Sequence, residues 1–178
     1  MKLTEEEKQD NYQAQVEELE TIKVIYDEDV EEINEIENKI KFKLKLKVTV
    51  TDPIKISLKS NNFVVGIIEV EYLPPLEVLF DFPESYPRQG PPNVDIQAIW
   101  ITHTNKMKLY EKIKEICTNQ SGEAVGFEIT NWIQSELIEF LFQNDSNKNG
   151  FDVEDDLTDI NNDKFLIQIL FIKSDLKN

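Results

Sequence analysis

The sequence predicts an α+β fold: a four-stranded antiparallel meander with helices covering one face, in the order α-β-β-β-β-α-α. Three observations carry that expectation. Lysine and apolar residues alternate without a break through "KIKFKLKLKV", residues 39–48. An apolar stripe at helical spacing, Val16, Leu19, Ile22 and Ile25, precedes it. Six of the seven prolines fall between Pro74 and Pro92, where they bracket further alternating segments instead of interrupting them. Strand interiors exclude proline because the ladder needs the N–H it lacks, whereas strand ends and turns do not.

Composition narrows the functional classes. A chain of 178 residues with 40% hydrophobic content is one domain with tails, able to bury a core. A formal net charge of −16 opposes phosphate binding, so neither nucleic acid nor an anionic membrane is an expected partner. One cysteine excludes an internal disulfide and a cysteine-rich zinc site. There is no apolar run of 18 residues, and "MKLTEEEKQD" is acidic and polar, so neither a membrane span nor a signal peptide is expected. A soluble cytoplasmic or nuclear protein follows.

Charge layout marks the elements. Residues 1–37 hold 14 acids and three lysines, a net of −11, and residues 38–60 hold seven lysines and one acid, a net of +6. In the first segment Thr4 and Glu7 have the spacing of a capping box. The helix should stop near Tyr26, because the acids of "DEDVEE" oppose the C-terminal macrodipole. Residues 27–38 then read as a solvated connection. In residues 39–48 the lysines take one face and Ile40, Phe42, Leu44, Leu46 and Val48 the other, the period of a half-buried strand. The lysine face is read as solvent-facing, discouraging edge association, in preference to a ligand-binding comb. "NNFVVGIIEVEYL", "LEVLFDF" and "NVDIQAIW" supply the other three strands.

Pro74 and Pro75 separate two of these strands, and Pro87, Pro91 and Pro92 belong to "YPRQGPP", a stiff corner whose expected role is structural. Gly90 is expected to take a conformation other residues resist, and the Tyr86 hydroxyl to bond a turn carbonyl. A long helix, residues 124–142, carries Phe127, Trp132, Ile133, Leu137, Ile138, Leu141 and Phe142, too many apolar residues for a narrow stripe.

Tyr-Pro, three residues, then Pro-Pro, following a meander and an N-terminal helix, resembles the RWD domain with its ubiquitin-conjugating-enzyme-like sandwich. "QVEELETIKVIYDEDV", residues 15–30, is similar to that family's opening helix, and the resemblance covers about residues 10–143. Leu73-Pro74-Pro75-Leu76, with Trp100 closing the fourth strand, narrows it to the RWD domain that opens RING-between-RING ubiquitin ligases. The resemblance implies a non-catalytic protein-interaction module that recruits substrates or partners, among them ribosome-associated or transcriptional factors and ubiquitin-pathway components. It implies an RWD domain at residues 1–143, an acidic linker at 144–164 and a short apolar segment at 165–173 that either docks back or forms a partner-binding helix. No cofactor is expected here, and zinc only in a downstream RING-type region. The alternatives are a free-standing RWD adaptor in translation control and an inactive conjugating-enzyme relative that binds ubiquitin.

Two motifs look like chemistry. "HTN", residues 103–105, lies where conjugating enzymes keep His-Pro-Asn before their cysteine, but Cys117 follows His103 by 14 residues and shares a helical stripe with Leu109, Ile113 and Ile116. A buried, inert thiol is expected, with Thr102 or Thr104 capping the helix, and no transthiolation. "DSNKNGFDVEDD", residues 145–156, opens like a calcium loop, yet Asp152 stands where an apolar residue is usual and Asp156 replaces the bidentate Glu. An acidic linker is the preferred reading. No metal site is expected. The candidate docking surfaces are the acidic first helix, with Glu17, Glu18 and Glu20, and the sheet face, with Lys41, Lys43 and Lys45.

Overall fold

A computed structural model describes residues 3–33, 39–51, 53–60, 63–143 and 170–172. The chain divides into two compact units, one of residues 1–47 and 74–135 and one of residues 48–73 and 136–178.

The first unit opens with helix α1 (Glu5–Tyr26), entered through the expected capping box: Thr4 Oγ1 accepts from the Glu7 N–H, and Glu7 returns a carboxylate to the Thr4 N–H. It ends at Tyr26, where Asp27 turns the chain with φ +44°. A 3-10 turn (Asp27–Asp29) leads into strand β1 (Val30–Glu32), and β2 (Lys41–Leu46), β5 (Leu76–Asp81) and β6 (Asn93–Gln97) complete a sheet of order β1-β2-β5-β6, antiparallel throughout. Helix α2 (His103–Asn119) starts at Thr102, whose hydroxyl accepts from the Asn105 N–H, and α3 (Gly126–Gln143) begins in this unit.

Register explains the lysine alternation. Phe42 pairs with Phe80, Leu44 with Val78 and Leu46 with Leu76, all essentially inaccessible, while Lys41, Lys43 and Lys45 stand opposite Asp81, Leu79 and Glu77 on the other face. A slip of one residue would expose every apolar side chain, so the register is strongly specified. Phe42 stacks on Phe80 at 5.0 Å, Phe82 meets both edge-on, and Tyr86 lies 4.6 Å from Phe82. This aromatic chain carries the core into the corner.

The fold class is the expected one, but the strands that build the sheet differ. Val30–Glu32, expected to be solvated connection, forms edge strand β1. Three residues with two glutamates have no detectable period, so only pairing to β2 reveals them. "FVVGIIEV", expected to join the meander, is instead β4 (Phe63–Val70) of the second unit, paired with β3 (Ile54–Ser60) across a two-residue link. That short link makes local closure cheaper than pairing with β2. β3 also pairs with β7 (Leu170–Ile172), so these residues of the tail form strand, not the helix that was one expectation. The calcium-like stretch and the acidic linker lie outside the described residues.

Candidate functional site: the tyrosine–proline corner and the exposed faces

The prolines of residues 83–92 remove backbone donors but keep their carbonyls, so the corner needs donors from elsewhere. Helix α1 supplies them. Asn11 Nδ2 donates to the Glu84 carbonyl and to Gln89 Oε1, both at 2.8 Å, and Gln15 Nε2 donates to the Pro83 and Tyr86 carbonyls at 2.9 and 2.8 Å. Arg88 pairs with Asp10 at 2.8 Å on the outside. Pro87 and Pro92 are buried, Pro91 is exposed, and the Tyr86–Pro87 peptide is cis.

Tyr86 does not bond a turn carbonyl. Its hydroxyl donates to Glu18 Oε2 at 2.6 Å and accepts the Val125 N–H at 2.8 Å, while Glu18 Oε1 accepts the Gly126 N–H. Helix α3 opens after Ala124 and Val125, neither of which can cap. Its first donors are satisfied by a carboxylate from α1 and a phenol from the corner, and the carboxylate also complements the helix dipole. Gly126 makes this possible: a Cβ there would lie 2.7 Å from Glu18 Oε1 and 3.2 Å from Ile22 Cδ1. Burial lifts the Glu18 carboxyl above its ordinary range, against the pull of the Tyr86 and Gly126 hydrogen bonds. Burial and the neighbouring Glu18 charge push the Tyr86 phenol well above its ordinary value.

Glu18 is therefore corrected as a docking residue: it is 7% exposed and fully engaged inside the fold. Glu17 and Glu20 do face solvent, and beside them α1 exposes Val24 (85%) and Ile25, the latter expected in the core stripe. Lys41, Lys43 and Lys45 share the wet face of the sheet, where Lys43 meets Glu77 at 3.5 Å and Lys39 meets Asp81 at 3.1 Å. Gly90 does not take a positive φ; what it provides is room, since a Cβ would stand 3.0 Å from Ser85 Oγ.

Pro74 and Pro75 are exposed, and the Pro74 carbonyl accepts the Trp100 indole N–H at 2.8 Å, joining two motifs that the sequence presents separately. At the middle of β6, Tyr110 and Lys106 of α2 both bond Asp95 Oδ1, Lys106 at 2.9 Å. Burial works against the charge there, yet Lys106, Tyr110 and Gln97 hold the Asp95 carboxyl down at about 2.

The thiol geometry opposes conjugating-enzyme chemistry. His103 is exposed at the start of α2, and Cys117 lies 14 residues on, roughly 21 Å along the helix axis at 1.5 Å per residue. Cys117 is half-buried, not enclosed as expected, because it sits near the open C-terminal end of α2. Burial still pushes its thiol up, opposite to an activated thiolate. No cluster of potential metal ligands occurs among the described residues.

The chain is similar in sequence to known proteins. The E3 ubiquitin-protein ligase RNF14 of Danio rerio is 27% identical over 129 residues, covering 72% of this chain and 27% of that protein. RNF14 of Mus musculus is 26% identical over 85 residues, covering 48% of this chain and 17% of that protein. The chain thus spans about a quarter or less of the curated relatives it matches. The solution structure of the RWD domain of mouse GCN2 aligns with a TM-score of 0.49 and 20% identity, covering 78% of this chain and 89% of that one. The RWD domain profile matches residues 13–137, well over half the sequence. With the corner, the sheet and the three helices in place, the chain belongs to the RWD domain family, a family of protein-interaction modules.

Proposed function

We propose that this chain is the partner-recruiting module of a RING-between-RING ubiquitin ligase, with ligation performed by a zinc-bearing part of that protein outside these residues. The homology to RNF14 over 129 residues carries the reading. The corner bonds leave little freedom for chemistry at Tyr86, and the thiol is unactivated, so the module works by binding. Its docking surface is the solvent side of α1 and the turn after it, where the exposed Val24 and Ile25 follow Glu17 and Glu20 and precede Glu28, with Glu20 paired to Lys23 at 3.0 Å. An exposed apolar pair in an acidic stretch fits a basic, amphipathic segment of a ribosome-associated or transcriptional partner in cytoplasm or nucleus. Lys41 and Lys45 on the sheet are a secondary surface for acidic groups.

Affinity capture from cell extract with this chain, quantified by mass spectrometry, tests the reading. Glu17→Lys with Val24→Asp should remove a defined basic partner, and raised salt should weaken its capture. Partners unchanged by both would overturn it.

A further inference from the structure

Away from α1 and the tyrosine–proline corner, the first unit holds an open cleft of about 520 Å³. Pro74, Pro75, Ile99 and Ile101 are among the residues that line it. The indole of Trp100, between those two isoleucines in sequence, donates to the Pro74 carbonyl and ties the two lining segments together. Proline fixes φ in its own segment, which leaves a preformed space within the ~300–1,000 Å³ range of binding pockets. Ile99 is 90% exposed at the mouth.

Two charged side chains also line the cleft, Lys106 and Glu77, and they differ in what they can offer. The Lys106 ammonium is committed to Asp95 at 2.9 Å and lies 5.5 Å above the Tyr110 ring. Glu77 meets Lys43 through a single oxygen at 3.5 Å, and its side chain is 38% exposed. Of the two charges Glu77 is the less committed, although Lys45 stands opposite it in the β2–β5 register, and the chain's net charge of −16 draws in cations and repels anions.

We propose that this cleft docks an extended segment of a partner protein in which neighbouring apolar side chains adjoin a lysine or arginine. The apolar side chains fill the space between the prolines and Ile99, and the cation meets the free oxygen of Glu77. This site is separate from the α1 surface and does not depend on it.

NMR titration of the 15N-labelled chain with three peptides tests the assignment. Acetyl-Leu-Ile-Ala-Arg-amide should shift the amides of Ile99, Ile101 and Lys106 with Kd on the order of 1 mM. The same peptide ending in Glu should bind about threefold or more weakly, and the Ser-Ser-Ala-Arg analogue should lose binding. Glu77→Gln should erase the Arg-over-Glu preference. Ile99→Asp should abolish binding while core resonances stay in place, since that side chain is exposed. Glu17→Lys should leave this titration unchanged while weakening capture at α1, so either reading can fail alone. No shifts at these amides, equal binding of the Arg and Glu peptides, or a self-association that buries Ile99 would overturn the proposal.

Discussion

Two tyrosines of the first unit donate to carboxylates, and the two pairs behave in opposite ways. Tyr86 and Glu18 are sealed inside the fold, 1% and 7% exposed, with backbone N–H groups as their other partners. Tyr110 and Asp95 sit at the surface, where the Asp95 side chain is 42% exposed and the Lys106 ammonium joins them. Burial dominates at Glu18 and lifts its pKa; at Asp95 the cation and hydrogen bonds overcome burial and lower it to about 2. The same two functional groups thus make a structural lock in one place and a solvated rim, beside a cleft, in the other. What decides is access to water and to a cation.

The sharpest way to break this contrast is Glu18→Ala. It strips the cap from α3, orphans the Gly126 N–H and the Tyr86 hydroxyl, and should cost about 3 kcal/mol in urea unfolding. Asp95→Ala should cost less than about 1 kcal/mol, because its pairs are open to solvent screening.

Tyr86→Phe comes next, at about 2 kcal/mol, since the Val125 N–H loses its acceptor in a buried place. Tyr110→Phe should change the unfolding midpoint only slightly. A cost for Tyr110→Phe equal to that of Tyr86→Phe would erase the distinction.

The pH dependences should have opposite signs. Glu18 has a raised folded pKa, so its contribution is fully present below its unfolded value near 4.5 and is lost as pH rises through the folded value. Wild type should therefore lose ground to Glu18→Gln on going from about pH 4.5 to neutrality. Asp95 has a lowered pKa, so its contribution is present above 3.8 and lost as pH falls toward about 2. Wild type should lose ground to Asp95→Asn only in that acid window. Unfolding midpoints across pH measure both.

Salt gives the smallest effect. Raising ionic strength to about 1 M should shrink the already small Asp95→Asn difference and leave the Glu18→Gln difference nearly unchanged, because the Debye length then falls to about 3 Å and reaches only exposed charges.

A strand within residues 39–48, observed as Lys41–Leu46, the capping box at Thr4, an α2 cap at Thr102 or Thr104 and the placement of prolines at strand ends were all legible in sequence, because each rests on local spacing. The fold class followed from them, and the family from the resemblance carried by Tyr86-Pro87, Pro91-Pro92 and Leu73-Pro74-Pro75-Leu76. What escaped were features that depend on distant partners. Glu18 looks like any of its acidic neighbours, and nothing local shows that position 18 turns inward. Asn11, Gln15 and Glu18 do recur at helical spacing, and that polar stripe was the available signal; it passes unnoticed when only apolar residues are sought on a buried face. Ile25 went the other way: it continues an apolar period, yet the helix ends one residue later and leaves it 48% exposed. At the cleft, neither Pro74 nor Trp100 reveals the other, since 26 residues separate donor and acceptor.

Because the third helix is started by a side chain 108 positions upstream, the opening helix cannot be trimmed as a dispensable leader. A fragment that begins after Tyr26 would carry a frayed helix at residue 126 and bare carbonyls at 83, 84 and 86. Supplied back as a free peptide, residues 3–33 hold every group needed to mend both defects, which makes the molecule a natural candidate for two-piece complementation.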